Sequence, residues 1–308
     1  MRRLGKTELK VSTIGFGSGP VGYLGESVER TAQVLNLLLD EGVNLIDTAA
    51  CYPDSEPLIA RSVGHRRGEY ILVTKCGHRV EGIDSPEWSP ELIRQSVDRS
   101  LRLLQTDHID VMLLHTCPRE VLEREEVLAT LVESREAGKI GFIGYSGDNE
   151  AAAFAAGLPD VAVLETSVNL CDQANIDTVL PVAASHDLGV LAKRPLANAA
   201  WRSGEQQRGI YRGYAETYSR RLSCMKLEPS ALGFPGDRHR EFARLALRFT
   251  LGVPGVDSVI AGTTNPENAR INLQNAAEGP LDREIQEALR QAFETARSAD
   301  SEDWPGLG

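Results

Sequence analysis

Four residues of this sequence combine a titratable side chain with a telling position. Asp47 closes the short apolar run Val43-Asn44-Leu45-Ile46-Asp47, Tyr52 follows five residues later, Lys75 closes the run 71–75 and His115 closes 109–115. Ser146 comes directly after another such run, 140–145. Each alone has an ordinary explanation: an aspartate that caps a helix, a lysine that snorkels, a histidine satisfied inside a core. At matching ends of neighbouring strands, an acid, a phenol, an ammonium and an imidazole make a site for proton transfer.

A second pattern points to a cofactor. Gly17, Gly19 and Gly22 follow the strand-like run 11–16 in the spacing G-x-G-x-x-G. A dinucleotide fingerprint of that kind works only when the glycine turn runs straight into a helix whose N–H groups receive the pyrophosphate. Here Pro20 falls inside the motif, and the first helix start is Ser27, ahead of the apolar positions Val34, Leu35 and Leu38. The glycines are read instead as a loop at the C-terminal end of a strand.

The elements that must position these residues recur along the chain. Apolar runs at 45–47, 71–75, 109–115, 140–145, 161–164, 189–192 and 258–261, with one near residue 14, make eight strands. Amphipathic stretches lie between them; Ile93, Val97, Leu101 and Leu104 mark one face of a helix. Eight βα units predict an α/β fold, a single-domain (β/α)8 TIM barrel over 1–308, and its working residues belong at the C-terminal strand ends. Residues 2–10 precede the first barrel strand and predict a short hairpin closing the barrel floor. Residues 198–238, rich in Gly, Arg and Tyr, form a long loop after strand seven, expected to be a flap. Residues 298–308 read as a polar tail that contains Trp304.

Bulk properties narrow the class. The 308 residues are 42% hydrophobic and carry a formal net charge of −11, which argues against nucleic acid or an anionic membrane as partner. The expected setting is cytoplasmic: no signal region precedes the first strand, and no apolar run approaches the ~20 residues of a membrane span. The five cysteines form no C-x-x-C pair and leave one over, so neither a disulfide framework nor a zinc ribbon is expected.

Taken together, the motifs resemble the aldo-keto reductase family. The stretches that carry the resemblance are Leu4-Gly5-Lys6-Thr7 with Gly15-Phe16-Gly17, Asp47 to Tyr52 with Ser55-Glu56, Thr74-Lys75, Asp110 to His115, Gly138-Lys139-Ile140 and Gly262-Thr263-Thr264-Asn265-Pro266-Glu267. It implies a catalytic tetrad of Asp47, Tyr52, Lys75 and His115. A phenol titrates near ~10, so Tyr52 needs the Lys75 cation to become a useful acid, and Asp47 would hold Lys75 charged. His115 would donate to the substrate carbonyl oxygen while Tyr52 supplies the proton. Hydride would come from NADP(H) or NAD(H), since no side chain donates it.

The cofactor residues that the resemblance implies are less regular. Gly17 and Ser18 would face the nicotinamide half. Ser146 matches a serine that binds the carboxamide, followed by Gly147 where asparagine is usual, and Glu165 stands where glutamine is usual. Lys193-Arg194-Pro195-Leu196 resembles a bacterial-type subset of the family, with Arg194, Pro195 and Leu196 at the cofactor. Gly262, Thr263 and Thr264 would hold the adenosine phosphate end at a helix N-terminus, with Asn268 and Asn272 beyond. Cations that favour NADPH are absent at Thr264 and Asn268, which keeps NAD(H) open. Tyr23, Cys51, Trp88 and Trp201 are candidates for the substrate pocket, and Tyr211, Tyr214 and Tyr218 for a lid. The expected partner is a small carbonyl or alcohol; the oligomeric state is open. Two other readings remain: a catalytically weak nicotinamide-binding regulatory subunit, against which the intact tetrad argues, and a metal-dependent barrel hydrolase, which needs more ligands than Asp47 and His115. No metal is expected.

Overall fold

The computed structural model describes residues 1–202 and 204–307; Ser203, inside the 198–238 segment, and Gly308, last of the tail, lie outside the described residues. Arg2–Arg3 (β1) pairs antiparallel with Lys10–Val11 (β2), the expected hairpin. Leu4 and Val11 are fully buried, and Leu4 packs on Gly189 where a later strand begins, so the hairpin closes the lower end of the barrel.

Eight parallel strands follow: Ile14–Gly17 (β3), Leu45–Asp47 (β4), Ile71–Cys76 (β5), Ile109–His115 (β6), Ile140–Ser146 (β7), Val161–Ser167 (β8), Gly189–Lys193 (β9) and Ser258–Ala261 (β10). β10 pairs with both β9 and β3, which closes the TIM barrel and leaves it no open edge. Side chains alternate between the barrel interior and the surrounding helices because successive strand residues point to opposite faces. Leu45, Val73, Val111, Leu113, Val163, Leu191 and Ile260 form the interior layer with Leu4 and Val11. Phe16, Ile46, Leu72, Met112, Leu114, Leu164 and Val190 pack outward against the helices. Burial of each such side chain is worth roughly 1.5–3 kcal/mol.

The helices begin where short polar side chains can cap them. Ser27 accepts from the Arg30 N–H at the start of Val28–Asp40, and Ser89 accepts from Leu92 N–H at Pro90–Leu104. Asn265 accepts from Glu267 N–H at Pro266–Ala277. One helix departs from expectation: Gly19–Tyr23 forms a single turn directly after β3, with Pro20 in its first turn. Proline is tolerated there because that N–H has no helical partner. The parallel pairing of β3 with β10 and β4 still places it in a barrel.

Two further expectations are corrected. The 198–238 segment is folded rather than an open loop, with helices at Tyr211–Tyr214 and Glu216–Met225 and a turn at Pro229–Leu232. Tyr218, Arg221, Leu222 and Met225 fall on one buried face of the longer helix. The polar tail is docked. Trp304 is 2% exposed, edge-on to Phe293 at 5.2 Å and beneath the Arg221 guanidinium at 5.4 Å. Beyond it Gly306 N–H donates to Asn149, Leu307 N–H donates to Asp172, and the Leu307 carbonyl accepts from Ser167. Among the described residues no helix is long and apolar enough to cross a membrane.

Candidate active site

Strand alternation builds the site. Asp47, Lys75, His115, Glu165 and Lys193 each lie two residues beyond an interior residue, namely Leu45, Val73, Leu113, Val163 and Leu191. They form the next layer up, at the C-terminal mouth. Register sets His115 opposite Ser146 and Ser146 opposite Glu165. All four members of the expected tetrad are brought together here.

Lys75 is the hub, with its side chain sealed from solvent. Its Nζ donates to Asp47 Oδ1 and to the Thr48 carbonyl at 2.9 Å, and it lies 3.2 Å from Glu165 Oε2. It also lies 5.6 Å from the centre of the Tyr52 ring. Tyr52 packs at 5.4 Å from the Tyr23 ring and 5.9 Å, edge-on, from His115. Cys51 Sγ lies 3.4 Å from His115 Nδ1. His78, which carried no signal in the sequence, stands 5.2 Å from His115 and bonds Thr116 through Nε2 at 3.0 Å.

The electrostatics follow from two carboxylates around one ammonium. Burial works to lower the Lys75 ammonium, but Asp47 and Glu165 outweigh it and hold the group above its ordinary value. Burial and the charge of Glu165 push the Asp47 carboxyl well up against the pull of Lys75. Burial drives His115 well below its ordinary value, helped by Lys75 and His78, so the imidazole is neutral. Tyr52 corrects an expectation. Its phenol is raised, because burial outweighs Lys75, and Asp47 and Glu165 push the same way.

Asp47, Tyr52 and His115 line a cavity of about 770 Å³, with Lys75 behind them. Gly17, Tyr23, Cys51, Ser146, Glu165, Arg194, Pro195, Leu196, Gly262, Thr263, Thr264 and Asn268 are on its wall, as expected. Four expected residues lie elsewhere. The Ser18 hydroxyl is buried and accepts from Ser55 at 2.7 Å, in a chain that continues to Thr48. Trp88 packs on Gly77 and His78, one layer behind the wall. Trp201 stacks on Phe242 at 5.4 Å within the core, and Asn272 is buried in the helix Pro266–Ala277. Tyr218 is no part of a lid, since its hydroxyl donates to buried Asp172 at 2.9 Å, whereas Tyr211 and Tyr214 do face the cavity.

Two glycines are explained by packing. A Cβ on Gly17 would lie 2.7 Å from the Ile260 side chain, so close packing of β3 on β10 calls for glycine here. A Cβ on Gly147 would lie 2.6 Å from the Tyr145 ring, which excludes the asparagine usual in the resembling proteins. Sequence reasoning also passed over Lys193 and Asp148, paired at 3.1 Å; the two-residue step from Leu191 to Lys193 was the available signal.

The wall fits a nicotinamide dinucleotide at both ends. Glu165 is on the wall beside Ser146, and a carboxylate there can accept from a carboxamide NH2. At the other end Gly262, Thr263 and Thr264 lead into the N-terminus of the twelve-residue helix Pro266–Ala277, whose free N–H groups and dipole favour phosphate.

Comparison with known proteins agrees. Residues 13–294 match the model of the Aldo/keto reductase family. The chain belongs to that family. An L-galactose dehydrogenase from Arabidopsis thaliana is 27% identical over 90% of this chain and 88% of its own length. An NADH-specific methylglyoxal reductase from Escherichia coli is 26% identical, covering 94% and 98%. The holo form of an aldo-keto reductase from Bacillus halodurans, 24% identical, shares the fold with a TM-score of 0.78 over 94% of this chain and 95% of its own. The protein is thus an oxidoreductase of the aldo/keto reductase family, whose members typically depend on NAD(P)H.

Proposed function

We propose that the chain is an NAD(P)(H)-dependent oxidoreductase interconverting a small aldehyde, ketone or sugar carbonyl with its alcohol, with Tyr52 moving the proton. The observation that carries this reading is the meeting of Tyr52 and His115 on one cavity wall beside the buried Lys75, whose Nζ lies 5.6 Å from the centre of the Tyr52 ring. The nicotinamide, when bound, gives or takes hydride. His115 donates a hydrogen bond to the carbonyl oxygen and so draws negative charge onto it. Tyr52 gives that oxygen its proton, and Lys75 steadies the phenolate left behind, which is where a preorganised charge has most effect. Asp47 and the Thr48 carbonyl keep Lys75 in place. In the reverse direction Tyr52 takes the proton back.

Polar wall residues His78, Asn198 and Gln207 suit a hydroxylated substrate, and the likeness to an L-galactose dehydrogenase supports a sugar. Lys193 to Leu196 support membership of the subset with that segment. In this reading residues 1–308 work as one domain in the cytoplasm, with part of 198–238 as the flap. A screen of aldehydes, ketones and sugars with both cofactors tests the proposal. Turnover that disappears in Tyr52→Phe is the expected result; activity indifferent to Tyr52 overturns the mechanism, and no turnover with any carbonyl or alcohol overturns the function.

A further inference from the structure

Glu165 is a buried carboxylate that proton transfer does not use. It lies on β8, 3% exposed, where its Oε1 accepts from Ser146 Oγ at 3.2 Å and its Oε2 faces Lys75 Nζ at 3.2 Å. Lys75 is already served by Asp47 and the Thr48 carbonyl. Two carboxylates therefore face one ammonium, and Glu165 is on the cavity wall while Lys75 is sealed behind it. A cation entering the cavity at that wall would meet a carboxylate.

The nicotinamide ring is the group whose charge changes in the reaction. It is cationic when oxidised and neutral when reduced, and to exchange hydride with a carbon held by Tyr52 and His115 it must lie in the same cavity, beside Glu165. An amide at this position would serve both forms alike, whereas a carboxylate distinguishes them. We infer that Glu165 selects the oxidised cofactor, so that this enzyme binds NAD(P)+ in preference to NAD(P)H. The inference rests on the function proposed above. A single charge within a few ångströms in a partly dry site corresponds to roughly a tenfold or greater difference in affinity.

The test is calorimetric titration of the wild-type protein and of Glu165→Gln with the oxidised and reduced forms of NAD(H) and NADP(H), with thermal unfolding of both proteins alongside. Glutamine keeps the size of the side chain and can still accept from Ser146. We expect the wild type to bind an oxidised form at least as tightly as its reduced partner, and the variant to lose about tenfold in oxidised affinity while reduced affinity holds. An unchanged ratio in a folded variant overturns the inference and leaves the proposed function standing. So does a wild type that binds the reduced form more tightly, a result that needs no variant. Failure of the wild type to bind either form removes the function and the inference together.

Discussion

Tyr52→Phe takes one hydroxyl from the cavity wall and leaves the ring packed against Tyr23 and near Lys75. With the proton donor gone and the site's shape retained, kcat should fall by at least ~100-fold while cofactor affinity persists. Steady-state kinetics beside a cofactor titration checks both halves. The same residues set the pH dependence. Burial keeps His115 neutral as pH falls through its ordinary 6.5, and burial keeps Tyr52 protonated as pH rises to its ordinary 10.0. Both active forms therefore persist between those limits, and carbonyl reduction at saturating substrate should be level there; a break near pH 6.5 would show a normally titrating histidine. Asp47 and His115 were legible because each ends a strand, Lys75 because it closes an apolar run one residue short of the end of β5, and Tyr52 because it follows Asp47 at a short distance. The Lys75–Glu165 pair was not, since it joins β5 to β8 across the barrel and exists only after closure. Ser18 was misplaced for a similar reason: its hydroxyl turns to Ser55, on a helix that its own neighbours do not announce.

At the scale of elements, the segment 198–238 divides in two. Its Glu216–Met225 helix is pinned by Tyr218 to Asp172 and by the buried Arg221 to the Cys171 and Pro305 carbonyls. Its earlier part carries the exposed Ile210 and Tyr214 and reaches the cavity through Tyr211. Hydrogen exchange should find residues 204–214 protected only with cofactor and 216–225 protected throughout. Uniform strong protection in both states would make the whole segment a fixed insertion. The sequence held the clue to this division: Tyr218, Leu222 and Met225 recur at helical spacing, a pattern hidden among the arginines and glycines around it. The tail was harder to read, because Trp304 stands alone in a polar stretch and its pocket is assembled from Phe293 and Arg221. Truncating that ring should be severe. Trp304→Ala is expected to destabilise the fold by about 3–5 kcal/mol in urea unfolding, the range for a fully buried aromatic. A change below about 1 kcal/mol would mean the tail is only laid on the surface.

For the whole molecule, eight apolar runs and a hairpin sufficed to specify the barrel, since only closure buries both faces of so many parallel strands. The cavity crosses that barrel's mouth from the tetrad to the helix at Pro266, and it is here that an acidic protein of net charge −11 must accept an anionic dinucleotide. In the proposed function, cofactor choice falls to the far end, at Thr264 and Asn268, both on the cavity wall. A 2′-phosphate brings up to about two negative charges, and a threonine hydroxyl bonds it without neutralising it, whereas a charge-assisted bond is worth roughly 1.5–3 kcal/mol. One arginine reaches Thr264 and two more line the same cavity. Arg30 gives its Nε to the Thr264 carbonyl at 2.8 Å, Arg208 lies 3.7 Å from Glu26, and Arg202 is on the same wall. The expected outcome is a wild type that uses NAD(H), and a Thr264→Arg variant whose preference moves toward NADP(H) by about ten- to a hundredfold. Fluorescence titration of both reduced cofactors measures it. A wild-type preference for NADPH above about a hundredfold would show that Arg30, Arg202 or Arg208 turns to the phosphate when it binds, and Thr264 would then have no say in the choice.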